Sequence, residues 1–177
     1  MNDKLLRPSK NILKNMPFKL KKAREFAIKA HGDQKLSDGN PYIVHLDLVV
    51  NWLYSLDCIS IEDDLNVFIA AYLHDTAEDT KITLNEIEDM FGAKVKDLVW
   101  RVTDEPGQNR KERKLKTYPK IKGKALAIKL ADRIANVTYS NDPKFKQMYQ
   151  KEQPDFEAHC RNGDYEPMWN FLNEALK

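Results

Sequence analysis

The densest concentration of reactive side chains in the sequence is Leu73-His74-Asp75-Thr76-Ala77-Glu78-Asp79-Thr80, where one imidazole and three carboxyl groups fall within six residues. It follows directly on the apolar run Val67-Phe68-Ile69-Ala70-Ala71-Tyr72-Leu73. A run of that kind is buried, so these polar groups sit where a helix leaves the core. On a helix, His74 and Glu78 share a face at i, i+4, as do Asp75 and Asp79, and Asp75 neighbours Glu78 at i, i+3. Such a cluster beside an apolar interior is costly without a counter-charge, and a divalent cation turns it into a site. Adjacent helix residues diverge by roughly 100°. His74 and Asp75 therefore share one ion only if it lies off the helix side and both side chains bend inward.

The motif needs partners, and the chain has only His31, His45, His74 and His159 to offer as imidazoles. His31 continues the apolar face of its helix and reads as a packed or capping residue. His45 stands just after the polar loop Gly32 to Pro41, at a helix start, where it is placed to reach a cleft. In the helix predicted over Ala125 to Tyr139, Leu126, Ala127, Leu130, Ile134 and Val137 form the core stripe. Asp132 and Asn136 share another face, with Lys129 and Arg133 beside them. A mononuclear site of two imidazoles and two carboxylates would neutralise a divalent ion. Its mixed nitrogen and oxygen ligation suits Mn2+ or Fe2+, with Zn2+ and Mg2+ less favoured.

The elements that must carry these residues are helical. The chain has 177 residues, 42% of them apolar and 32% charged, enough for one domain around a single sizeable core. Only six glycines and no evenly spaced alternating patterns argue against a β-sandwich or barrel. Phe18, Ala23, Phe26, Ala27 and Ala30 recur at helical spacing, with Lys21, Lys22, Arg24, Glu25 and Lys29 outside. Ile43, Leu46, Val50 and Leu53 mark a helix over Tyr42 to Leu56. Thr83-Leu84-Asn85-Glu86 is a capping box that opens a helix closed by Phe91-Gly92. Val95, Leu98, Val99 and Val102 form the next stripe, which Pro106-Gly107 breaks. Pro143 and Pro154 punctuate the remainder, and Tyr165, Met168, Trp169, Leu172 and Leu176 form a final core stripe. The expectation is an all-α fold of roughly eight to ten helices, with 1–17 a loose basic arm and 18–177 one domain.

The net charge of +2 is unremarkable, but its distribution is not. Arg110, Lys111, Arg113, Lys114, Lys116, Lys120, Lys122 and Lys124 face a single acid, Glu112. That run reads as a solvated helix face or as a positive rim for an anionic ligand. No nucleic-acid-binding motif accompanies it, so no nucleic-acid partner is expected. Cys58 and Cys160 match no metal or redox spacing and point to a reducing compartment. No stretch reads as a signal peptide or a membrane span, which makes the cytoplasm the expected location.

The order His45 … His74-Asp75 … Asp132 resembles the H…HD…D signature of the HD-domain phosphohydrolase superfamily. The resemblance narrows along the chain. His31-Gly32-Asp33-Gln34, Asp38-Gly39-Asn40-Pro41-Tyr42-Ile43-Val44-His45 and Leu73 to Thr80 are followed by Phe91-Gly92, Val102-Thr103-Asp104, Glu112-Arg113-Lys114 and Lys129-Leu130-Ala131-Asp132-Arg133. They run in the order seen in the hydrolase domains of Rel/Spo alarmone enzymes, and look closest to the small stand-alone alarmone hydrolases. The resemblance covers about residues 20 to 140. It implies a single-domain HD-domain helical bundle and a metal-dependent phosphohydrolase acting on a nucleotide. The first candidate is guanosine 3′,5′-bis(diphosphate) 3′-pyrophosphohydrolase activity, in which metal-activated water attacks the 3′-diphosphate and pyrophosphate leaves. By the same resemblance, His45, His74, Asp75 and Asp132 hold a Mn2+ ion and Glu78 and Asp79 form the catalytic pair. Tyr42 and Asn136 fall at ligand-contacting positions, Arg110 and Lys114 in the segment that supplies basic phosphate contacts, and Tyr149 where it could close the pocket.

Three positions depart from the family's pattern. Leu36-Ser37 stands where an Arg-Lys pair usually serves the nucleotide, and a leucine neither stacks as a guanidinium does nor binds phosphate. Ala135 replaces a frequent histidine before Asn136, and Leu46 replaces the proline after the metal histidine. Two alternatives follow: the same site acting on another nucleotide or on NADPH, or a non-catalytic nucleotide-binding regulatory module. Retention of both Glu78 and Asp79 argues against the second, because a binder has little need of two extra acids beside bound phosphates.

Overall fold

The apolar stripes of the sequence become helices in the computed structural model, which describes residues 16–56, 58–140 and 142–177. In chain order they are α1 (Phe18–His31), α2 (Ile43–Ser55), α3 (Leu65–Leu73), α4 (Thr76–Asp79), α5 (Leu84–Phe91), α6 (Ala93–Val102), α7 (Arg110–Thr117), α8 (Lys124–Tyr139), α9 (Pro143–Cys160) and α10 (Glu166–Leu176). A 3-10 turn, Tyr118–Lys120, joins the α7 end to the segment before α8. Among the described residues no strand forms, and the one isolated bridge pairs Lys35 with Pro41. The expected basic arm lies almost wholly outside the described residues. No described helix is long and apolar enough to cross a membrane.

Three helices, α2, α3 and α8, are buried nearly all round, the mark of elements at the centre of a fold. In α2 burial is continuous from His45 to Leu53. In α8 every residue from Ala125 to Ala135 is buried, including Lys129, Asp132 and Arg133. It packs against α2, α3, α6, α9 and α10. In α3 burial is continuous from Val67 to Leu73, with α1, α2 and α6 around it. The Asp64 side chain starts α3 by accepting from the Asn66 amide. A bidentate ion pair locks the first three helices together. Arg24 Nε and Nη2 reach Asp47 Oδ1 and Oδ2 at 2.8 and 2.7 Å, and Tyr72 Oη donates to Asp47 Oδ1 at 3.0 Å. Planar fork-to-carboxylate pairing of this kind fixes orientation as well as proximity.

The capping box at Thr83 forms as the sequence predicts, and so does the last stripe from Met168 through Trp169 and Leu172 to Leu176. Tyr165, expected to begin that stripe, is instead the half-buried N-cap before α10, at a left-handed φ of 58. Gly92 joins α5 to α6 at φ 93, a left-handed angle that glycine adopts without steric cost. Two other details differ. The buried stripe of α1 is Leu20, Ala23, Ala27 and His31, while Phe18 is 82% exposed and Phe26 lies half-buried, edge-on to Phe91. Arg24, assigned to the outer face, turns inward to Asp47. Pro143 begins α9, but Pro154 lies inside it and does not end it. Interior proline costs about 3 kcal/mol. Burial of Tyr149, Gln153, Phe156 and Cys160 along the same helix, with Phe156 against Trp169 at 4.9 Å between ring centroids, offsets it.

Candidate metal centre

His74 and Asp75 occupy the joint between α3 and α4, not the side of one continuous helix. Their backbones stay near the helical region, at φ −59, ψ −36 and φ −94, ψ −5, but the helix is interrupted. That break answers the divergence of adjacent helical side chains, and His74 Nε2 comes within 3.0 Å of Asp75 Oδ2. The Ala71 carbonyl lies 2.8 Å from His74 Nδ1. A carbonyl only accepts, so Nδ1 carries a proton and Nε2 is the nitrogen turned to the site.

His45, from the first turn of α2, and Asp132, from the middle of α8, complete the group. The ligand atoms of His45, His74 and Asp132 lie within 4.8 Å of one another, and all three residues are buried. His45 Nε2 stands 3.4 Å from Asp132 Oδ1 and 3.5 Å from Asp75 Oδ2. His74 Nε2 stands 3.7 Å from Asp132 Oδ1. Asp75 is the partly exposed member, with 19% of its side chain accessible, so the group opens to solvent on its side. His74 Nε2 is buried without a hydrogen-bond partner despite these close oxygens. Donor atoms that crowd one point without aligning on each other fit a shared cation. Two imidazoles and two carboxylates balance a divalent one.

Outer contacts orient this set. Asp132 Oδ1 accepts from Asn136 Nδ2 at 2.6 Å, and Asp132 Oδ2 pairs with Lys129 Nζ at 2.9 Å. Tyr42 Oη donates to Asp75 Oδ2 at 2.6 Å. The i, i+4 face expected for Asp132 and Asn136 is therefore used for a direct bond. Tyr42 and Asn136, expected at the ligand, bear on it in this structure through the carboxylates they hold.

Glu78 and Asp79 are exposed on α4, just beyond Asp75. Glu78 Oε2 accepts from the Asp104 amide at 3.1 Å, and Asp79 Oδ2 from Gln34 Nε2 at 3.3 Å. The basic segment is not a uniformly solvated face. Lys114 is buried, with Nζ 2.9 Å from Asp104 Oδ1. Arg110 Nε contacts Glu152 Oε1 at 2.5 Å. The same glutamate takes Arg133 Nη1 at 3.4 Å. Tyr149 is buried between Arg133 and Arg110, whose guanidinium carbons lie 4.8 and 5.8 Å from its ring centre. Sequence reasoning assigned no role to Gln34, Asp104, Lys129 or Glu152. Lys129 alone carried a local signal, three residues before Asp132 on one helix.

Burial disfavours charge throughout the group, but mutual pairing outweighs it. The Asp75 and Asp132 carboxylates push His74 up to about 10 against that desolvation, and His45 is raised in the same way. Asp75, beside His74 and His45, and Asp132, beside Lys129 and His45, lie well below the usual carboxylate range in spite of burial. The metal-free centre at neutral pH therefore holds a protonated His74. Ligation requires the neutral ring, so cation uptake displaces that proton. Affinity should rise with pH and level off as pH passes about 10, where His74 has lost its proton without help. Calorimetric Mn2+ titrations in buffers of differing ionisation enthalpy should show at least about one proton released per ion at pH 7, that of His74, with His45 adding to it. A binding enthalpy independent of buffer would contradict this.

A family model described as "HD domain" matches residues 23–161. The protein named guanosine-3′,5′-bis(diphosphate) 3′-pyrophosphohydrolase MESH1 of Homo sapiens is 40% identical over 123 residues, 67% of this chain and 67% of that one. The guanosine-3′,5′-bis(diphosphate) 3′-pyrophosphohydrolase of Aquifex aeolicus (strain VF5) is 36% identical over 124 residues, 67% of this chain but only 17% of that much longer protein. Among solved structures, the one described as "A metazoan ortholog of SpoT hydrolyzes ppGpp and plays a role in starvation responses" superposes with a TM-score of 0.78. It is 27% identical and the match covers 90% of this chain and 94% of that chain.

Proposed function

Since the chain belongs to the HD-domain family, we propose that it is a metal-dependent phosphohydrolase that removes the 3′-diphosphate of guanosine 3′,5′-bis(diphosphate) as pyrophosphate. The observation that carries this reading is the buried His45, His74 and Asp132 group with two exposed carboxylates, Glu78 and Asp79, just beyond it. Kinship to proteins named for that activity supports the substrate.

His45, His74, Asp75 and Asp132 would hold the cation, and their donor set favours Mn2+ or Fe2+. When bound, a divalent cation polarises a phosphoryl oxygen and acidifies water. Tyr42, Asn136 and Lys129 keep the two carboxylates aimed inward, and His74 is fixed in one tautomer by the Ala71 carbonyl. The Asp104 amide occupies Glu78 Oε2, which leaves Oε1 to take the proton of the attacking water. Asp79, steadied by Gln34, orients the same water. The water oxygen bonds to the phosphorus attached to the ribose 3′ oxygen, and that P–O bond breaks. The conjugate acid of the Glu78–Asp79 pair returns the proton to the departing 3′ oxygen. An entering diphosphate competes with Glu152 and Asp104 for Arg110 and Lys114, which neutralise its charge. Tyr149 forms the wall behind Arg110.

Leu36 and Ser37 favour keeping a second reading, in which the same centre serves another nucleotide or NADPH. Their loop is closed by the Leu36 amide to the Asn40 carbonyl at 2.9 Å. It is pinned to the end of α8 by Tyr139, which bonds Asp38 and Asn40. It brings no guanidinium to a base. A Mn2+-supplemented panel of guanosine 3′,5′-bis(diphosphate), ordinary nucleotides and NADPH, scored for pyrophosphate and orthophosphate, separates the readings. Pyrophosphate from the first substrate is the expected result. Orthophosphate from the others, with the first untouched, would replace the substrate assignment.

A further inference from the structure

We propose that His31 is a positioning residue that sets two of the site's carboxylates at once, Asp75 through Tyr42 and Asp79 through Gln34. The inference rests on the catalytic reading of Asp79 for one arm, and on the metal group alone for the other.

His31 is the last residue of α1 and is buried. Gly32 follows at φ 52, a left-handed angle that reverses the chain, and the Gln34 amide donates back to the His31 carbonyl at 3.0 Å. The turn thus returns Gln34 to its own helix end. One face of the His31 ring lies against Tyr42, with centroids 4.4 Å apart and planes 23° from parallel. Tyr42 is the residue whose hydroxyl donates to Asp75 Oδ2 at 2.6 Å. The stacked imidazole therefore fixes the plane from which that hydroxyl reaches its carboxylate.

The second arm runs along the ring edge. His31 Nδ1 is 2.8 Å from Gln34 Oε1, and Gln34 Nε2 donates to Asp79 Oδ2 at 3.3 Å. An amide has one accepting end and one donating end. Because the donating end faces a carboxylate, Oε1 must accept, and His31 Nδ1 must carry the proton. A flipped Gln34 would set its carbonyl oxygen against Asp79. The Nδ1 proton of His31 selects the orientation that supports the acid.

The rest of the ring makes no structural return. His31 Nε2 is buried with no hydrogen-bond partner. Burial of an unsatisfied polar atom is destabilising, and a phenyl ring would fill the same stack without it. A residue chosen only for packing would not be a histidine here.

The test compares His31→Phe, His31→Ala, Gln34→Met and the His31→Phe/Gln34→Met pair in the full chain. Mn2+ affinity is read by calorimetric titration, kcat and KM with guanosine 3′,5′-bis(diphosphate), and Tm by thermal unfolding. His31→Phe should keep Mn2+ affinity and KM near wild type and melt no lower, while kcat falls roughly tenfold or more. Gln34→Met should match it, and the pair should be no worse than either single change. His31→Ala, which removes the stack, should also weaken Mn2+ binding by roughly tenfold. Tyr42→Phe should do the same and supplies the readout if His31→Ala does not fold. Wild-type kcat in His31→Phe, or losses that multiply in the pair, would overturn the Gln34 arm. Wild-type Mn2+ affinity in a folded His31→Ala, or in Tyr42→Phe, would overturn the Tyr42 arm. Should the wild-type chain leave this substrate intact, the substrate reading fails by itself, and the metal titrations still decide the Tyr42 arm. Loss of the Nδ1–H signal of His31 from its hydrogen-bonded position in Gln34→Met, read by 15N NMR on metal-free protein, decides the other. An unchanged signal overturns it.

Discussion

Replacing His74 by alanine is expected to weaken divalent-cation binding by at least about a hundredfold, because even outer partners of a ligand are worth 10–100-fold. Turnover should fall on the order of 10³-fold or more, the several kcal/mol that a metal contributes at a developing phosphoryl charge. The residue has no substitute. Its ring is buried, its Nδ1 is committed to the Ala71 carbonyl, and its Nε2 is the atom nearest Asp75 Oδ2. His45 approaches the same point from α2 and cannot cover both positions. Removal also leaves Asp75 and Asp132 without the imidazole that helps to hold both in the ionised form. Calorimetric titration with Mn2+ and initial rates at saturating Mn2+ check both parts. Near-normal cation affinity would place the metal elsewhere.

Glu78→Gln should separate chemistry from binding. The substitution preserves shape, and its amide oxygen still accepts the Asp104 N–H that Glu78 Oε2 accepts now. It removes only the capacity to take a proton. A positioned general base is worth about 10²–10⁴-fold, so kcat should fall by that factor while KM and Mn2+ affinity stay close to wild type. Steady-state kinetics and the same titration measure the split. A non-catalytic nucleotide-binding module predicts no such fall, because its measured turnover would be contamination that the substitution does not touch.

Local chemistry made most of the helices legible before any coordinates. The apolar run before His74 must be buried, and the Thr83 and Glu86 pair must start a helix. The stripe Leu126, Ala127, Leu130, Ile134 and Val137 marks α8, though it gives no sign that Lys129, Asp132 and Arg133 on the other faces are buried as well. The order His45, His74-Asp75, Asp132 likewise named a set that the fold does bring together. What stayed hidden depends on long-range pairing. Arg24 and Asp47 are 23 residues apart, Glu78 and Asp104 are 26, and Arg110 and Glu152 are 42. No window along the chain reports such bonds. Helical periodicity also has a phase error, which put Phe18 in the core stripe of α1 instead of Leu20. Propensity gave the wrong weight to Pro154, where packing of Phe156 and Tyr149 decides. The break between α3 and α4 was hidden for a related reason. His74, Asp75 and Thr76 carry no strong breaker, so nothing in the local sequence marks the joint.

The central claim is that this centre directs water onto the phosphorus next to the ribose 3′ oxygen. Hydrolysis of guanosine 3′,5′-bis(diphosphate) in 18O-enriched water with Mn2+, followed by 31P NMR and mass spectrometry of the products, tests it most directly. The account predicts guanosine diphosphate without label and pyrophosphate carrying one 18O. Label in the nucleoside diphosphate, or orthophosphate as the released product, would contradict it.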